Sequence, residues 1–93
     1  MPPLADAEID AALEGLTGWG REGDEIFKTF DRATFAGAIA FVVQVGFLAE
    51  RADHHPDIDV RWKNVRIALS THSAHGLTNR DFDLAAEIDG IGA

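Results

Sequence analysis

From Ala33 to Ala49 the chain runs 17 residues without a charge, and this segment limits what the rest can build. It falls short of the roughly 20 apolar residues that span a bilayer, and Gln44 interrupts it. The segment is expected to be a buried helix over about Arg32 to Ala52. Phe35, Ile39, Val42 and Gly46 fall on one face of that helix, and Phe41, Val45 and Leu48 form a second apolar stripe. A helix apolar nearly all round needs cover on two sides. The chain has only 93 residues, and one this short buries only about 60–65% of its unfolded surface. Its own core supplies one cover; the second is expected to be another subunit.

The flanking segments alternate between two periods. Asp6 is a plausible helix cap, followed by Ile9, Ala12, Leu13 and Leu16 at helical spacing, with Gly15 and Gly18 as terminators. Between Asp24 and Asp31, Ile26 and Phe30 alternate with Phe27 and Thr29, which reads as the second arm of a hairpin that begins near Trp19. Pro56 holds His55 extended, so the long helix must stop before His55. A second hairpin follows: Val60 and Trp62 alternate with Arg61, Lys63 and Asn64 turn, and Val65, Ile67, Leu69 and Thr71 alternate with Arg66, Ala68, Ser70 and His72. Trp62 is expected as a cross-strand packing partner. Thr78 with Asp81 three residues on makes a capping box, and Leu77 with Phe82 a hydrophobic staple, so a last helix should run from about Asn79 to Asp89. The order helix, strand, strand, helix, strand, strand, helix predicts an α+β fold in one domain spanning residues 1–93. Its simplest packing is a four-stranded antiparallel sheet with three helices on one face.

Charge and composition remove several functions. Sixteen acidic against eight basic residues give a formal charge of −8 with no Lys/Arg cluster to neutralise phosphates, so direct nucleic-acid binding is not expected. The absence of cysteine excludes disulfides, thiolate nucleophiles and thiolate metal sites. Met1-Pro2-Pro3-Leu4-Ala5-Asp6 lacks the basic-then-apolar pattern of a signal peptide, and a cytoplasmic location without membrane attachment is expected.

Three of four histidines fall in two places: His54 and His55 where the long helix ends, and His72 at the end of a predicted central strand. Strand alternation turns His72 away from Val65, Ile67 and Leu69, toward the open face or rim. Glu50, four residues before His54, shares its side of the last helical turn and would favour a charged, proton-donating imidazole. Taken singly, the histidines have blander roles: His54 and His55 as partners of a helix C-terminus, and His72 as an ordinary strand end. Asp81 is accounted for by its capping box and His75 by a solvent-facing loop. A metal site is not expected, because adjacent histidine side chains diverge and no histidine pair stands at i,i+4.

Glu50-Arg-Ala-Asp53-His54-His55-Pro56, then Trp62, Asn64 and Val65, then Leu69-Ser70-Thr71-His72, Gly76-Leu77-Thr78 and Asp81 resemble the signature of the pterin-4a-carbinolamine dehydratase family. The likeness is close from about residue 50 to residue 89. It continues upstream more loosely through Trp19, Ile26, Phe30, Phe35 and Phe41-Val42. It implies removal of water from 4a-hydroxytetrahydropterin, the by-product of an aromatic amino-acid hydroxylase, to give quinonoid dihydropterin in tetrahydrobiopterin recycling. It implies His54 and His72 as acid or base groups and His55 as a ring-orienting group. Glu50 and Asp53 would tune the imidazoles, Pro56 belongs to the same binding motif, and the backbone around Ser70 and Thr71 would bond the flat pterin. No metal or organic cofactor is required, and a homodimer or homotetramer is expected. Some animal members carry an aromatic residue where Ile58 stands, so ring stacking there is not carried over. Two other roles go with the family: a non-catalytic module that stabilises a transcription-factor dimer, and a pterin-binding protein of molybdenum-cofactor metabolism.

Overall fold

A computed structural model describes residues 2–91. Its elements follow the predicted order: α1 (Asp6–Glu14), β1 (Gly20–Glu22), β2 (Glu25–Asp31), α2 (Phe35–Ala52), β3 (Asp57–Arg61), β4 (Asn64–Leu69) and α3 (Asn79–Ile91), with a short 3-10 turn at His72–Ala74. The four strands form one antiparallel sheet in the order β1-β2-β4-β3. β4 is central and pairs Ile67 with Lys28 on one side and with Ile58 on the other.

Alternation decides which sheet face the helices cover. Ile26 and Phe30 of β2 and Val65, Ile67 and Leu69 of β4 are buried, together with Ala38, Phe41 and Val45 of α2 and Phe82, Leu84, Ala85 and Ile88 of α3. The opposite sheet face is polar, apart from the small Ala68 and its cross-strand partner Phe27, whose ring carries the Arg66 guanidinium 4.7 Å from its centroid. Trp19, Phe30 and Phe41 fill the centre of the core as successive aromatic pairs.

The long helix begins later than its uncharged run suggests. Thr34 caps it, its hydroxyl accepting from the Gly37 amide at 2.9 Å, so Arg32 lies outside. Nor is α2 a fully buried helix. It is long and apolar enough to cross a membrane by length and composition, yet Ala38, Phe41, Val45 and Ala49 face the core while Phe35, Ile39, Val43 and Phe47 stand exposed. These four lie at i+4 steps and make an uncovered apolar stripe, Phe47 being 74% exposed.

Two further expectations are corrected. The cap of α1 is Ala5, whose amide donates to Glu8, and Asp6 is instead the first helical residue, paired with Arg21. The second hairpin turns at Trp62-Lys63 rather than Lys63-Asn64, because Asn64 already pairs with Arg61. Trp62 is therefore no cross-strand partner; it sits in the turn at φ 53°, largely exposed. A positive φ at the first position of a two-residue hairpin loop is ordinarily left to glycine or asparagine.

Two stability measurements follow. Phe41→Ala removes a fully buried ring whose centroid lies 4.8 Å from that of Phe30, and should cost about 3–5 kcal/mol in urea unfolding. Trp62→Gly should raise stability by about 0.5–1 kcal/mol, by relieving the positive φ at the cost of an exposed indole; a loss in the same assay would show that the contact of Lys63 with the ring matters more.

Candidate active site

The end of α2 is built to present consecutive residues in different directions. Asp53 takes the left-handed conformation (φ 50°), a position where aspartate is better tolerated than most residues. The His54 amide then reaches back to the Ala49 carbonyl and the Asp53 amide to that of Glu50, the paired bonds of a Schellman ending. Arg80, near the start of α3, donates through one guanidinium nitrogen to the carbonyls of Ala52 and Asp53. A cation thus meets the negative end of the α2 dipole.

This reversal sends His54 inward and leaves His55 outside. His54 is 7% exposed and its Nε2 lies 2.5 Å from Oδ1 of Asp81, which has no exposed surface. His55 Nε2 lies 2.9 Å from Glu50 in an exposed pair. The expected partnership of Glu50 with His54 is therefore wrong: a left-handed residue between helix and histidine rotates His54 away from the Glu50 side, and His55 takes its place.

Asp81 joins three segments. Its Oδ2 accepts from the Thr78 amide at 2.9 Å, closing the predicted capping box, and from the Thr71 hydroxyl at 2.7 Å. Thr71 Oγ1 also lies 2.8 Å from Thr78 Oγ1, which accepts from the Arg80 amide. Every buried side-chain nitrogen or oxygen among the described residues has a partner. The capping box explained Asp81 from sequence, but its other carboxylate oxygen is what seats His54. A histidine falling just past a predicted helix end, with an acid at N3 of the next helix, was the available signal.

His72 is presented by a loop and not by a strand. β4 ends at Leu69, and Thr71 bridges to Gly76 through bonds of 3.1 and 3.4 Å, closing a tight loop around the 3-10 turn that begins at His72. Alternation cannot continue through such a turn; Thr71 is buried, while His72 and Ser73 are exposed. Gly76 is required at the closure, since a Cβ there would stand 2.8 Å from Pro3. His75, in the same loop at φ 57°, faces outward as expected.

Asp53, His54, His55, Ser70, Thr71 and His72 line one cleft of ≈ 240 Å³, joined by Ser73 and Arg80, which the sequence reading did not single out. Glu50 and Pro56 are not in its lining; Glu50 reaches it only through His55. Ser70 and His72 also border a neighbouring hollow of ≈ 340 Å³ with Asp24 and His75. The hollows on the outer sheet face and beside Lys28 and Asp89 contain no histidine and no clustered acid–base pair of this kind. Among the described residues no group of three or more His, Asp or Glu side chains is arranged to hold a metal ion. A buried carboxylate-bound imidazole beside two exposed imidazoles is an arrangement suited to proton transfer.

Comparison with known proteins bears on the family and the fold. The family model described as pterin 4 alpha carbinolamine dehydratase matches residues 2–91. A protein of Roseiflexus castenholzii provisionally named pterin-4-alpha-carbinolamine dehydratase is 64% identical over 95% of each chain. One of the same provisional name from Chloroflexus aurantiacus is 56% identical over 98% of each. Among solved structures, a Brucella melitensis protein described as a transcriptional coactivator/pterin dehydratase superposes with a TM-score of 0.94 at 31% identity, covering 98% of this chain and 99% of its own. With a family model matched over residues 2–91 and full-length relatives at up to 64% identity, the chain belongs to the pterin 4 alpha carbinolamine dehydratase family.

Proposed function

We propose that this protein, as one domain over residues 1–93, removes water from 4a-hydroxytetrahydropterin to give quinonoid dihydropterin. The observation that carries the reading is the convergence of His54, His55 and His72 on one cleft. Loss of hydroxide from C4a is slow unless its oxygen gains a proton as the C–O bond breaks. The N5 lone pair pushes that bond out, a proton leaves the ring, and the products are the quinonoid ring and water. Two groups near neutral affinity, one giving a proton and one taking it, are the requirement. His54 and His72 fill these roles beside the 4a hydroxyl. His55 orients the ring with support from Glu50, Asp53 and Pro56, and the backbone at Ser70 and Thr71 bonds the pterin edge. The reaction draws on neither a metal nor an organic cofactor. It takes place in the cytoplasm, downstream of an aromatic amino-acid hydroxylase.

The same proposal includes self-association, as a homodimer or homotetramer, through the stripe of Phe35, Ile39, Val43 and Phe47. Exposed apolar surface of this extent marks an interaction face. A second reading draws on the same stripe: a pterin-binding or dimer-stabilising module without catalysis, in keeping with the coactivator description of the Brucella melitensis structure.

The dehydration rate of freshly generated 4a-hydroxytetrahydropterin, followed by absorbance, separates these readings. Folded His54→Ala and His72→Ala should each lose about 10²–10⁴-fold in kcat, whereas His55→Ala should act mainly on KM. No acceleration by folded wild type would favour the non-catalytic module. Light scattering on a sizing column should show a dimer or tetramer at micromolar concentration, shifted toward monomer by Phe47→Glu; a monomeric wild type would remove the self-association proposal.

A further inference from the structure

The bonds around Asp81 fix which nitrogen of His54 is free to work. Oδ2 of Asp81 already accepts two hydrogen bonds, from the Thr78 amide and the Thr71 hydroxyl. Since Thr71 spends its one proton on Asp81, the bond between the two threonine hydroxyls must run from Thr78 to Thr71, and Thr78 in turn accepts from the Arg80 amide. The chain of donors has one direction and ends on the carboxylate. Oδ1 is left to meet Nε2 of His54 at 2.5 Å. An acid held by two donors on its other oxygen is stabilised as the carboxylate, and an ordinary imidazole is a stronger base than an ordinary carboxylate. The shared proton therefore resides on Nε2.

The other ring nitrogen has no hydrogen-bond partner among the described residues. Because no buried side-chain nitrogen or oxygen among the described residues lacks one, Nδ1 must reach solvent, and the cleft that His54 lines is where it does so. We infer that Asp81 is the positioning residue of the site: it holds His54 with Nε2 protonated, so that Nδ1 is the atom that gives and takes protons. This rests on the dehydratase reading for the use of Nδ1, while the assignment of the proton stands on the hydrogen-bond geometry and the ordinary basicities of the two groups. The two arriving bonds also fix the behaviour of an amide at this position. In Asp81→Asn the amide oxygen must take the place of Oδ2 to keep both donors, which turns its NH₂ toward Nε2. Nε2 then has to accept, and the neutral ring must carry its proton on Nδ1.

The test is ¹⁵N-detected NMR of histidine-labelled protein, with His54 assigned by its loss in His54→Gln, at a pH where the ring is neutral. Wild type should show a protonated Nε2 and bare Nδ1; folded Asp81→Asn should show the reverse, with kcat down about 100-fold and KM within about twofold. Asp83→Asn, an exposed neighbour on α3, should change neither. A wild-type ring protonated on Nδ1 would overturn the assignment, whatever Asp81→Asn does. An unswitched ring in folded Asp81→Asn would overturn it too, and a switched ring with unchanged kcat would overturn Nδ1 as the working atom. If the wild-type tautomer is as stated but neither protein accelerates dehydration, the positioning of His54 is upheld and the dehydratase reading fails.

Discussion

A carboxylate with no contact with water costs several kcal/mol unless it is met by donors on both oxygens, and Asp81 is such a group. The three donors that meet it come from the stretch just after α2, the loop after β4 and the residue just before α3. Each of these segments is irregular backbone, where hydrophobic burial alone defines position poorly. One buried charge therefore does locally what the apolar core does globally: it leaves few alternative arrangements of His54, Thr71 and Thr78 that keep every polar atom partnered. The site sits where it does because this is where three chain reversals must be reconciled around one anion.

The energetic division of labour is equally clear on the other side of the cleft. His55 and Glu50 pair in the open, where an ion pair is worth at most about 1 kcal/mol, so their geometry is free to adapt. His54 is buried and bonded to a buried carboxylate while His55 is exposed, although the two are adjacent in sequence. The left-handed turn at Asp53, held by Arg80, is what divides them.

Much of this was legible beforehand, for physical reasons that differ by element. The buried sides of β2 and β4 follow from period-2 alternation, and the start of α3 from a cap and staple confined to neighbouring residues; such local rules need no knowledge of the rest. Trp62 was misplaced because its alternation with Val60 continues in sequence past the point where the strand ends and the turn begins. His72 was correctly expected to be accessible, but for the wrong reason, since the closing bridge between Thr71 and Gly76 replaces strand geometry with a 3-10 turn. The link from His54 to Asp81 spans two elements and depends on their packing, and helical spacing to Glu50 offered a nearer and mistaken partner. The exposed stripe of α2 lies between these cases: its composition announced a need for two covers without saying which residues would face which.

The loop that carries His72 is braced from an unexpected direction. Pro3 packs where a Cβ of Gly76 would be, and the Leu4 amide donates to the Leu77 carbonyl at 2.8 Å. Residues 3 and 4 thus lie against the loop that carries the His72 imidazole. The placement of His72 therefore draws in part on contacts from a segment almost seventy residues away in sequence.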